Sequence, residues 1–213
     1  LGFNVDFAPV ADVLTNPDNQ VIGQRSFGSD AQTAAGMVTS SLQGLSAAGV
    51  YGMVKHFPGH GGTSGDSHDG AVSTDKTLEE LMAEELVPFQ SAIDGGVNFV
   101  MGGHISAPNV TGDNAPATLS KVLITDVLRG QMGYNGIVIT DAMNMEAITG
   151  FYNSDKAAVL AVTAGADMIL MPADYNTAYT GILNAVNDGT ITEERINESV
   201  TRIVKAKLAM GQP

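Results

Sequence analysis

The chain has 213 residues, of which 44% are hydrophobic and 15% charged, so it can bury a sizeable core and is neither disordered nor fibrous. Its formal net charge of -13 at pH 7 repels phosphate backbones and anionic headgroups, so we expect no nucleic-acid partner and no membrane insertion. The absence of cysteine excludes disulfides, zinc–thiolate sites and cysteine nucleophiles, but it leaves the cellular compartment open.

Short apolar runs alternate with helix-period segments along the chain, which is the pattern of βα units. The runs are rich in Val, Ile, Phe or Met with little alternation, as is typical of parallel strands covered on both faces. The sequence predicts five such strands, at residues 3–10, 51–57, 98–105, 136–142 and 166–172.

Six helices are predicted between and after these strands. The first follows Asp30, and the second begins at Thr77, where Glu80 completes a capping-box pattern and Pro88 is expected to kink or shorten the helix. The other four are predicted around residues 123–128, 157–164, 179–186 and 192–210.

Polar residues occur at or just after the carboxyl end of nearly every predicted strand, namely Asp12, Lys55, His56, His104, Asp141 and Asp174. Polar groups at the carboxyl ends of strands fit both a doubly wound sheet and a barrel, but contributions from so many strands favour the barrel. We therefore predict an α/β fold of the (β/α)8 TIM-barrel type, with about the first three βα units missing from this chain. Residues 1–213 are expected to form a single portion of one domain.

The stretch KHFPGHGGTSGDSH at residues 55–68 places three histidines and a lysine in a strand end and a Gly-rich loop. Asp66 precedes His68 by two residues, where a carboxylate can orient an imidazole and stabilise its charge. The pair is a candidate general acid/base, and the alternative is a hydrogen-bonded structural histidine.

Three further residues are candidates on the residue pattern alone. Asp141 ends an apolar strand, where a buried carboxylate is costly unless it is hydrogen-bonded or functional; the alternative is that it caps the next turn. Arg25 offers a forked donor for a hydroxyl or carboxylate ligand, or forms a surface ion pair. Asp12 is either a ligand contact or a hydrogen-bond acceptor at the strand end.

A metal site is an alternative, because His56, His60, Asp66, His68 and His104 are the ligand types of hydrolytic zinc sites. Pro58 and Gly59 break the helix that His56 and His60 would need, and no His-Glu-x-x-His run exists. The glycines match neither dinucleotide nor P-loop patterns. We expect no metal and no cofactor.

Taken together, the motifs resemble glycoside hydrolase family 3, in its β-N-acetylhexosaminidase branch of the peptidoglycan-recycling type. The resemblance covers essentially the whole chain through FAPVADV at 7–13, VIGQRSF at 21–27, KHFPGHG at 55–61, DSH at 66–68 and ITDAMNM at 139–145. The Asp-Ser-His motif discriminates this branch, because family 3 glucosidases usually take their acid/base from another segment.

The resemblance implies an exo-acting, retaining β-N-acetylglucosaminidase that hydrolyses terminal N-acetylglucosamine from cell-wall or chitin-like oligosaccharides. Asp141 would be the nucleophile that forms a covalent glycosyl–enzyme, and His68, assisted by Asp66, would be the acid/base. Because a neutral imidazole repels phosphate less than a carboxylate does, transfer to phosphate stays open. The substrate-binding residues implied are Arg25, Lys55, His56 and Asp12, with Met145 as a wall.

Two departures from the family pattern matter. The leading βα units, which include an Asp and an Arg that bind the sugar, are absent, and Gly62 stands where an Asp is common. An incomplete barrel exposes strand edges, so we expect self-association, a partner chain or a lost segment to cover them. The alternatives are an inactive or carbohydrate-binding fragment, a glycoside phosphorylase or other family 3 β-glycosidase, and a metal-dependent hydrolase. A bacterial-type protein is expected, either cytoplasmic or secreted.

Overall fold

The structure, a computed structural model, describes residues 2–66 and 70–210. The strands in that part of the chain are β1 (Val5–Asp6), β2 (Tyr51–Phe57), β3 (Val72–Ser73), β4 (Phe99–Gly102), β5 (Ile105–Ser106) and β6 (Ile137–Thr140). The α-helices are α1 (Ala31–Ala47), α2 (Leu78–Ala83), α3 (Val87–Asp94), α4 (Pro108–Thr111), α5 (Glu146–Thr149), α6 (Ser154–Ala164), α7 (Tyr175–Asn187) and α8 (Glu193–Ala209). Short 3-10 helices at Gly23–Arg25 and Ala117–Leu119 and a π-type helix at Val122–Gln131 complete the set.

The main sheet has the order β1-β2-β4-β6, and every neighbouring pair is parallel. A fifth position is supplied beside β6 by the chain around Met168, which makes a parallel bridge to Ile139. The strands follow one another in chain order without the reversal that a doubly wound sheet shows. The predicted α/β fold of barrel type is therefore confirmed, and β3 and β5 form a separate two-stranded ribbon.

Both faces of the sheet are buried, which explains the missing alternation in the sequence. Val54, Val100 and Val138 lie in the larger core, together with α1 and α3 residues on the helix side. Met53 and Ile139 point to the opposite, inner face and belong to a second core. Each strand therefore presents apolar side chains in both directions, as in a barrel wall.

The first and fifth predicted strands are shorter than the sequence indicates. Within residues 3–10 only Val5–Asp6 is regular, because Pro9 has no amide hydrogen to donate to a ladder; contact with β2 resumes at the isolated bridge of Val10 with Lys55. Residues 166–172 form no regular ladder, since the single carbonyl of Val138 accepts the amides of both Asp167 and Met168. The prediction of a full strand there is wrong, although its position beside β6 is right.

The predicted strand 98–105 is divided in two. β4 ends at Gly102, the amide of Gly103 donates to the carbonyl of Phe57, and the chain turns before β5 pairs with β3. This turn places His104 at the carboxyl end of the sheet instead of within a strand.

The helix predictions are confirmed in place and mostly in length. Asp30 caps α1 through the amide of Thr33, and Thr77 and Glu80 form the predicted capping box of α2. Pro88 acts as expected: α2 ends at Ala83, and Pro88 lies in the first turn of α3. Asp174, predicted among the functional residues, caps α7 by accepting a hydrogen bond from the Thr177 amide. None of the helices in the described part of the chain has the length and apolar character needed to cross a bilayer.

Helix α8 lies across the amino ends of the strands. Its Ile203 and Ala206 pack in the inner core with Val5, Phe99 and Ile137, each of which is the first or nearly the first residue of its strand. Helix α8 therefore contacts the amino ends of the strands, whereas Lys55, His56 and Asp141 lie at or just after their carboxyl ends.

Candidate active site

Three elements bring the predicted site residues to the carboxyl ends of the strands. Asp12 follows β1, Lys55 and His56 lie near the end of β2, and Asp141 follows β6 directly. The pairing of β2 with β4 changes register between Val54 and Phe57, at the point where Lys55 and His56 occur. A register shift of this kind redirects the side chains of a strand, as bulges near functional sites do.

Asp12, His56 and Arg25 form a hydrogen-bonded chain. The Asp12 side chain is fully buried, and its Oδ2 lies 2.7 Å from His56 Nδ1. Arg25 Nη2 lies 3.4 Å from His56 Nε2. Since a guanidinium has only donors, His56 Nε2 accepts and His56 Nδ1 donates to Asp12. This arrangement selects the neutral tautomer of His56 that carries its hydrogen on Nδ1.

The second oxygen of Asp12 holds the backbone of the Gly-rich loop. Oδ1 accepts the amide hydrogens of His56 and His60, at 3.1 and 2.7 Å. Burial alone would raise the pKa of Asp12, but the adjacent His56 and these backbone donors outweigh it and lower the pKa below its usual value. Asp12 is therefore an anion with both oxygens occupied by protein groups.

Lys55 is half-buried between charged neighbours. Burial, and then the positive charge of Arg25, lower the pKa of Lys55, whereas the carboxylates of Asp141 and Asp12 act in the opposite direction. Lys55 thus lies within electrostatic range of a second cation, Arg25, and of the Asp141 carboxylate, in a chain that has only ten basic residues.

Asp141 is fixed by its backbone and half-exposed at its side chain. Its amide donates to the Gly102 carbonyl at 2.8 Å, and its Oδ1 accepts the amide of Ala142 at 2.8 Å. One carboxylate oxygen is thereby oriented within the turn, as the turn-cap alternative predicts, and the catalytic role of Asp141 stays a prediction.

His104 supports the turn that follows Asp141. Its Nε2 donates to the Ala142 carbonyl at 3.0 Å, because a carbonyl can only accept, and its Nδ1 lies 2.8 Å from Thr118 Oγ1. The residue is 1% exposed. His104 links the ends of β4 and β6 and holds the backbone beside Asp141.

The Gly-rich loop is packed tightly against the segment after β1. A Cβ atom on Gly61 would overlap the Val13 carbonyl, so only glycine fits there. A Cβ on Gly62 would lie 2.7 Å from Thr15 Oγ1 and 3.1 Å from Glu85 Oε1. Thr15 and the carboxylate of Glu85 fill the space that a side chain at position 62 would need. The glycine at this position, which departs from the family pattern, therefore has a physical basis.

Of the predicted acid/base pair, only Asp66 lies within the described residues. His68 lies outside the described residues, so its predicted role as acid/base stays a prediction. Asp66 is half-buried at the end of the loop, and its charge acts on the buried imidazole of His60. Burial lowers the pKa of His60 more than the charges of Asp12 and Asp66 raise it.

Met145 and Asp12 are less accessible than a substrate contact requires. Met145 is 7% exposed, and Asp12 is fully buried beneath His56. Direct substrate contact by these two residues stays a prediction, and the observed contacts of Asp12 are to the two histidine segments that surround it.

The residue patterns missed two groups that hold the site together. Asn19 donates to the carbonyls of His60 and Thr63, at 2.8 and 3.1 Å, and so joins the segment of Arg25 to the Gly-rich loop. Glu85 is 1% exposed and accepts hydrogen bonds from Thr15 Oγ1, at 2.9 Å, and from Lys76 Nζ. These contacts join residues far apart in the chain, and no local spacing signals them.

Within residues 2–66 and 70–210 there is no group of three His, Asp or Glu side chains arranged to hold a metal ion. The imidazoles of His56 and His104 that the sequence offered as ligands are instead hydrogen-bonded to protein groups.

Residues 1–206 match the family described as glycosyl hydrolase family 3 N terminal domain. The chain therefore belongs to glycosyl hydrolase family 3.

Three known proteins are similar to this chain over nearly its whole length. The β-hexosaminidase LpqI of Mycobacterium tuberculosis is 38% identical over 97% of this chain, which spans 55% of the LpqI sequence. A family 3 β-N-acetylglucosaminidase from Paenibacillus sp. is 44% identical, with a TM-score of 0.95 over 98% of this chain and 40% of its own. The β-glucoside phosphorylase BglX is 29% identical, with a TM-score of 0.94 over 99% of this chain and 39% of its own.

The chain is shorter than these relatives. It spans 39% of the β-hexosaminidase A of Pseudoalteromonas piscicida and 55% of LpqI. The barrel-type fold and the family are shared over nearly the whole of the present chain.

Proposed function

We propose that this chain carries the active site of an exo-acting, retaining β-N-acetylglucosaminidase. Its substrates would be cell-wall or chitin-like oligosaccharides with a terminal N-acetylglucosamine. Membership of family 3 and the similarity to proteins named β-hexosaminidase support this reaction.

The placement of Asp141 carries the proposal. Its carboxylate is half-exposed at the carboxyl end of β6, where barrel enzymes hold their reacting groups, and the charge of Lys55 acts on it. A carboxylate must be ionised to act as a nucleophile. Asp141 attacks the anomeric carbon, and the bond from that carbon to the leaving oxygen breaks.

The acid/base step is assigned to His68 with Asp66. His68 would protonate the leaving oxygen as the glycosidic bond breaks, then take a proton from the water that releases the sugar from Asp141. Asp66, two residues earlier on the same loop, would stabilise the imidazolium in the first state.

Sugar recognition is assigned to Arg25, Lys55 and His56. The first two donate to hydroxyl or carbonyl oxygens of the sugar, and His56 is held in one tautomer by Asp12. Asp12 acts through His56 and the loop and is a positioning residue, since both of its oxygens are already occupied by protein donors.

An aryl N-acetyl-β-glucosaminide tests the reaction, because its nitrophenol is released only if the glycosidic bond is cleaved. We expect turnover by this chain, none on the matching glucoside, and a fall on the order of 10⁴-fold in Asp141→Asn, which removes the nucleophile. Asp94→Asn, an exposed carboxylate on α3, serves as the matched control and should keep full activity. A folded chain with no turnover would overturn the proposal.

The covalent intermediate has its own test. A fluorinated N-acetylglucosamine donor whose glycosyl–enzyme hydrolyses slowly should add one sugar mass to the peptide that contains Asp141. Label on any other carboxylate would contradict the assignment of the nucleophile.

A glycoside phosphorylase is the second candidate, because BglX carries that name and resembles this chain over 99% of its length. Inorganic phosphate should then raise the rate and yield a sugar phosphate, whereas a hydrolase gives the free sugar at any phosphate concentration. A chain that binds N-acetylglucosamine without turnover would instead be a carbohydrate-binding fragment, and loss of activity to a chelator would indicate a metal-dependent hydrolase.

A further inference from the structure

A buried carboxylate packs against the Gly-rich loop at residues 58–63. Glu85 lies between α2 and α3 and is 1% exposed. A Cβ atom on Gly59 would lie 2.7 Å from Glu85 Cβ, and one on Gly62 would lie 3.1 Å from Glu85 Oε1. We propose that Glu85 is a positioning residue: its carboxylate takes the place of a side chain at position 62 and holds the loop that orients Asp12 and His56. The proposal rests on the function given above.

The first argument is the space at position 62. The backbone of Gly62 lies outside the left-handed region, so its conformation is open to any residue. A side chain is excluded there by two other side chains, Thr15 and Glu85. At Gly61 the obstacle is backbone, because a Cβ atom would overlap the Val13 carbonyl. Shortening Glu85 therefore makes room for a side chain at position 62 but not at position 61.

The second argument is the set of donors around the carboxylate. Glu85 Oε1 accepts hydrogen bonds from Thr15 Oγ1, at 2.9 Å, and from Lys76 Nζ. Burial lowers the pKa of Lys76, but its hydrogen bonds to Glu84 and Glu85 outweigh burial and raise the pKa above its usual value. Both donors meet Oε1, which is the Glu85 atom nearest to the space of residue 62. A carboxylate built at position 62 therefore has the same two donors within reach.

The third argument is the other oxygen of the same carboxylate. Within residues 2–66 and 70–210, no N–H or O–H group donates to Glu85 Oε2, although this atom is buried. A buried polar atom without a partner lowers stability, and a residue kept only for packing would avoid it. Local costs of this kind are typical of residues that serve a functional site.

The loop transmits the position of Glu85 to the sugar-binding side chains. The Gly59 amide donates to the His56 carbonyl at 2.8 Å, and the His60 amide donates to Asp12 Oδ1 at 2.7 Å. Asp12 Oδ2 in turn holds the ring of His56. Without Glu85 the loop loses its support on the side of α2 and α3, so the His60 amide and Asp12 lose their fixed positions.

Reciprocal rescue tests the proposal. Glu85→Ala should lower kcat/KM on the aryl N-acetyl-β-glucosaminide about tenfold or more, since small displacements of binding groups are costly. Gly62→Asp alone should also lower it about tenfold, because two carboxylates then compete for one space. The double variant that combines the two changes should return to within about threefold of the wild type, since a carboxylate again lies beside Thr15 and Lys76.

Two controls separate this effect from a general loss of packing or charge. Gly61→Asp in the Glu85→Ala background should restore nothing, because the Val13 carbonyl blocks that position whether or not Glu85 is present. Glu84→Ala removes the other carboxylate bound to Lys76, at 2.7 Å, whose side chain is half-exposed. This variant should leave kcat/KM unchanged.

Amide hydrogen exchange provides a measurement that does not need turnover. The His60 amide should exchange faster in Glu85→Ala and return to its wild-type rate in the double variant, whereas exchange within β4 and β6 should stay unchanged. If Glu85→Ala does not fold, a folded double variant still supports the proposal and an unfolded one overturns it.

The outcomes distinguish this proposal from the one on which it rests. A folded wild-type chain without turnover overturns the proposed function, while the exchange of the His60 amide still tests Glu85. A double variant that recovers neither turnover nor slow exchange overturns the role of Glu85 alone. Equal recovery with Gly61→Asp also overturns it, because the position of the new carboxylate would then not matter.

Discussion

Asp12 is the residue at which the hydrogen bonds of the candidate site converge. It accepts the backbone amides of His56 and His60 and the side chain of His56, while its own side chain has no exposed surface. A buried carboxylate with three donors is stabilised as an anion, and an amide cannot replace it because one of its two ends only donates.

Asp12→Asn should therefore lower the free energy of unfolding by about 2 kcal/mol or more, since at least one buried donor loses its acceptor. Urea unfolding at pH 7 measures the effect. Asp18→Asn, an exposed change in the following loop, should stay within about 0.5 kcal/mol. Equal stabilities for the two variants would show that Asp12 is not needed as an acceptor.

The positive charge of Arg25 affects the pKa of Lys55. After burial, the positive charge of Arg25 is the next cause that lowers the pKa of Lys55. Removing a like charge favours protonation, so Arg25→Gln should raise the pKa of Lys55. NMR titration of the lysine Nζ or Cε signals reads this directly.

Arg25→Lys is the matched variant, because it keeps the charge and should leave the titration of Lys55 near its wild-type position. If Arg25→Gln and Arg25→Lys titrate alike, then the two cationic side chains are not electrostatically coupled.

At the level of elements, the helix starts are set by single side chains. In α2 the Thr77 hydroxyl accepts the Glu80 amide, and the Glu80 carboxylate accepts the Thr77 amide at 2.7 Å. Two amides that the first turn leaves without helical partners are thus satisfied.

Thr77→Ala should cost about 1 kcal/mol of unfolding free energy, the usual contribution of an N-cap. Thr163→Ala removes an exposed hydroxyl inside α6, which bonds to the Val159 carbonyl, and provides the comparison. Thermal or urea unfolding should show a clearly lower stability for Thr77→Ala than for Thr163→Ala. The reverse order of stabilities would contradict the capping role.

Local signals of this kind explain which elements the sequence predicts well. The starts of α1 and α2 follow from caps that lie within three residues of their partners, at Asp30 and Thr77. The irregular fifth strand depends on one carbonyl of β6, at Val138, that receives two amides from residues 167 and 168. Nothing within residues 166–172 themselves signals that competition.

The candidate site likewise contains residues that the sequence marks and contacts that it does not. Polar residues at strand ends mark Asp12, His56 and Asp141 in the sequence, because parallel strands bring their carboxyl ends together. The partners of these residues are not marked, since Asp12 lies 44 residues from His56 and 48 from His60. Only the packed barrel brings such pairs into contact.

At the scale of the whole molecule, one buried carboxylate joins α8 to the barrel. Asp167 has no exposed side-chain surface and binds Arg129 at 2.6 Å, Arg202 at 3.0 Å and the hydroxyl of Ser199 at 2.6 Å. It also accepts the Val138 amide from β6 at 2.9 Å. Asp167 therefore ties the π-type helix, β6 and α8 to one another at the end of the barrel opposite the candidate site.

Because the guanidinium groups surround a single anion, Asp167→Asn should lower the free energy of unfolding at pH 7 by about 3 kcal/mol or more, as when one partner of a buried ion pair is removed. Asp126→Asn, an exposed change on the helix that carries Arg129, should have little effect. Urea unfolding of the two variants at pH 7 makes the comparison.

The same contacts give the stability a defined dependence on pH. Burial would raise the pKa of Asp167, but Arg129, Ser199, the Val138 amide and Arg202 together lower it below the usual value of an aspartate. A carboxylate with a lowered folded-state pKa contributes its full stabilisation above about pH 4, and this contribution is lost as the pH falls through the folded-state pKa, because the unfolded chain binds the proton first. The stability gap between wild type and Asp167→Asn should thus be largest near pH 7 and shrink below pH 4. A gap that stays constant from pH 7 to pH 3 would mean that the ionised carboxylate of Asp167 is not what holds α8 against the barrel.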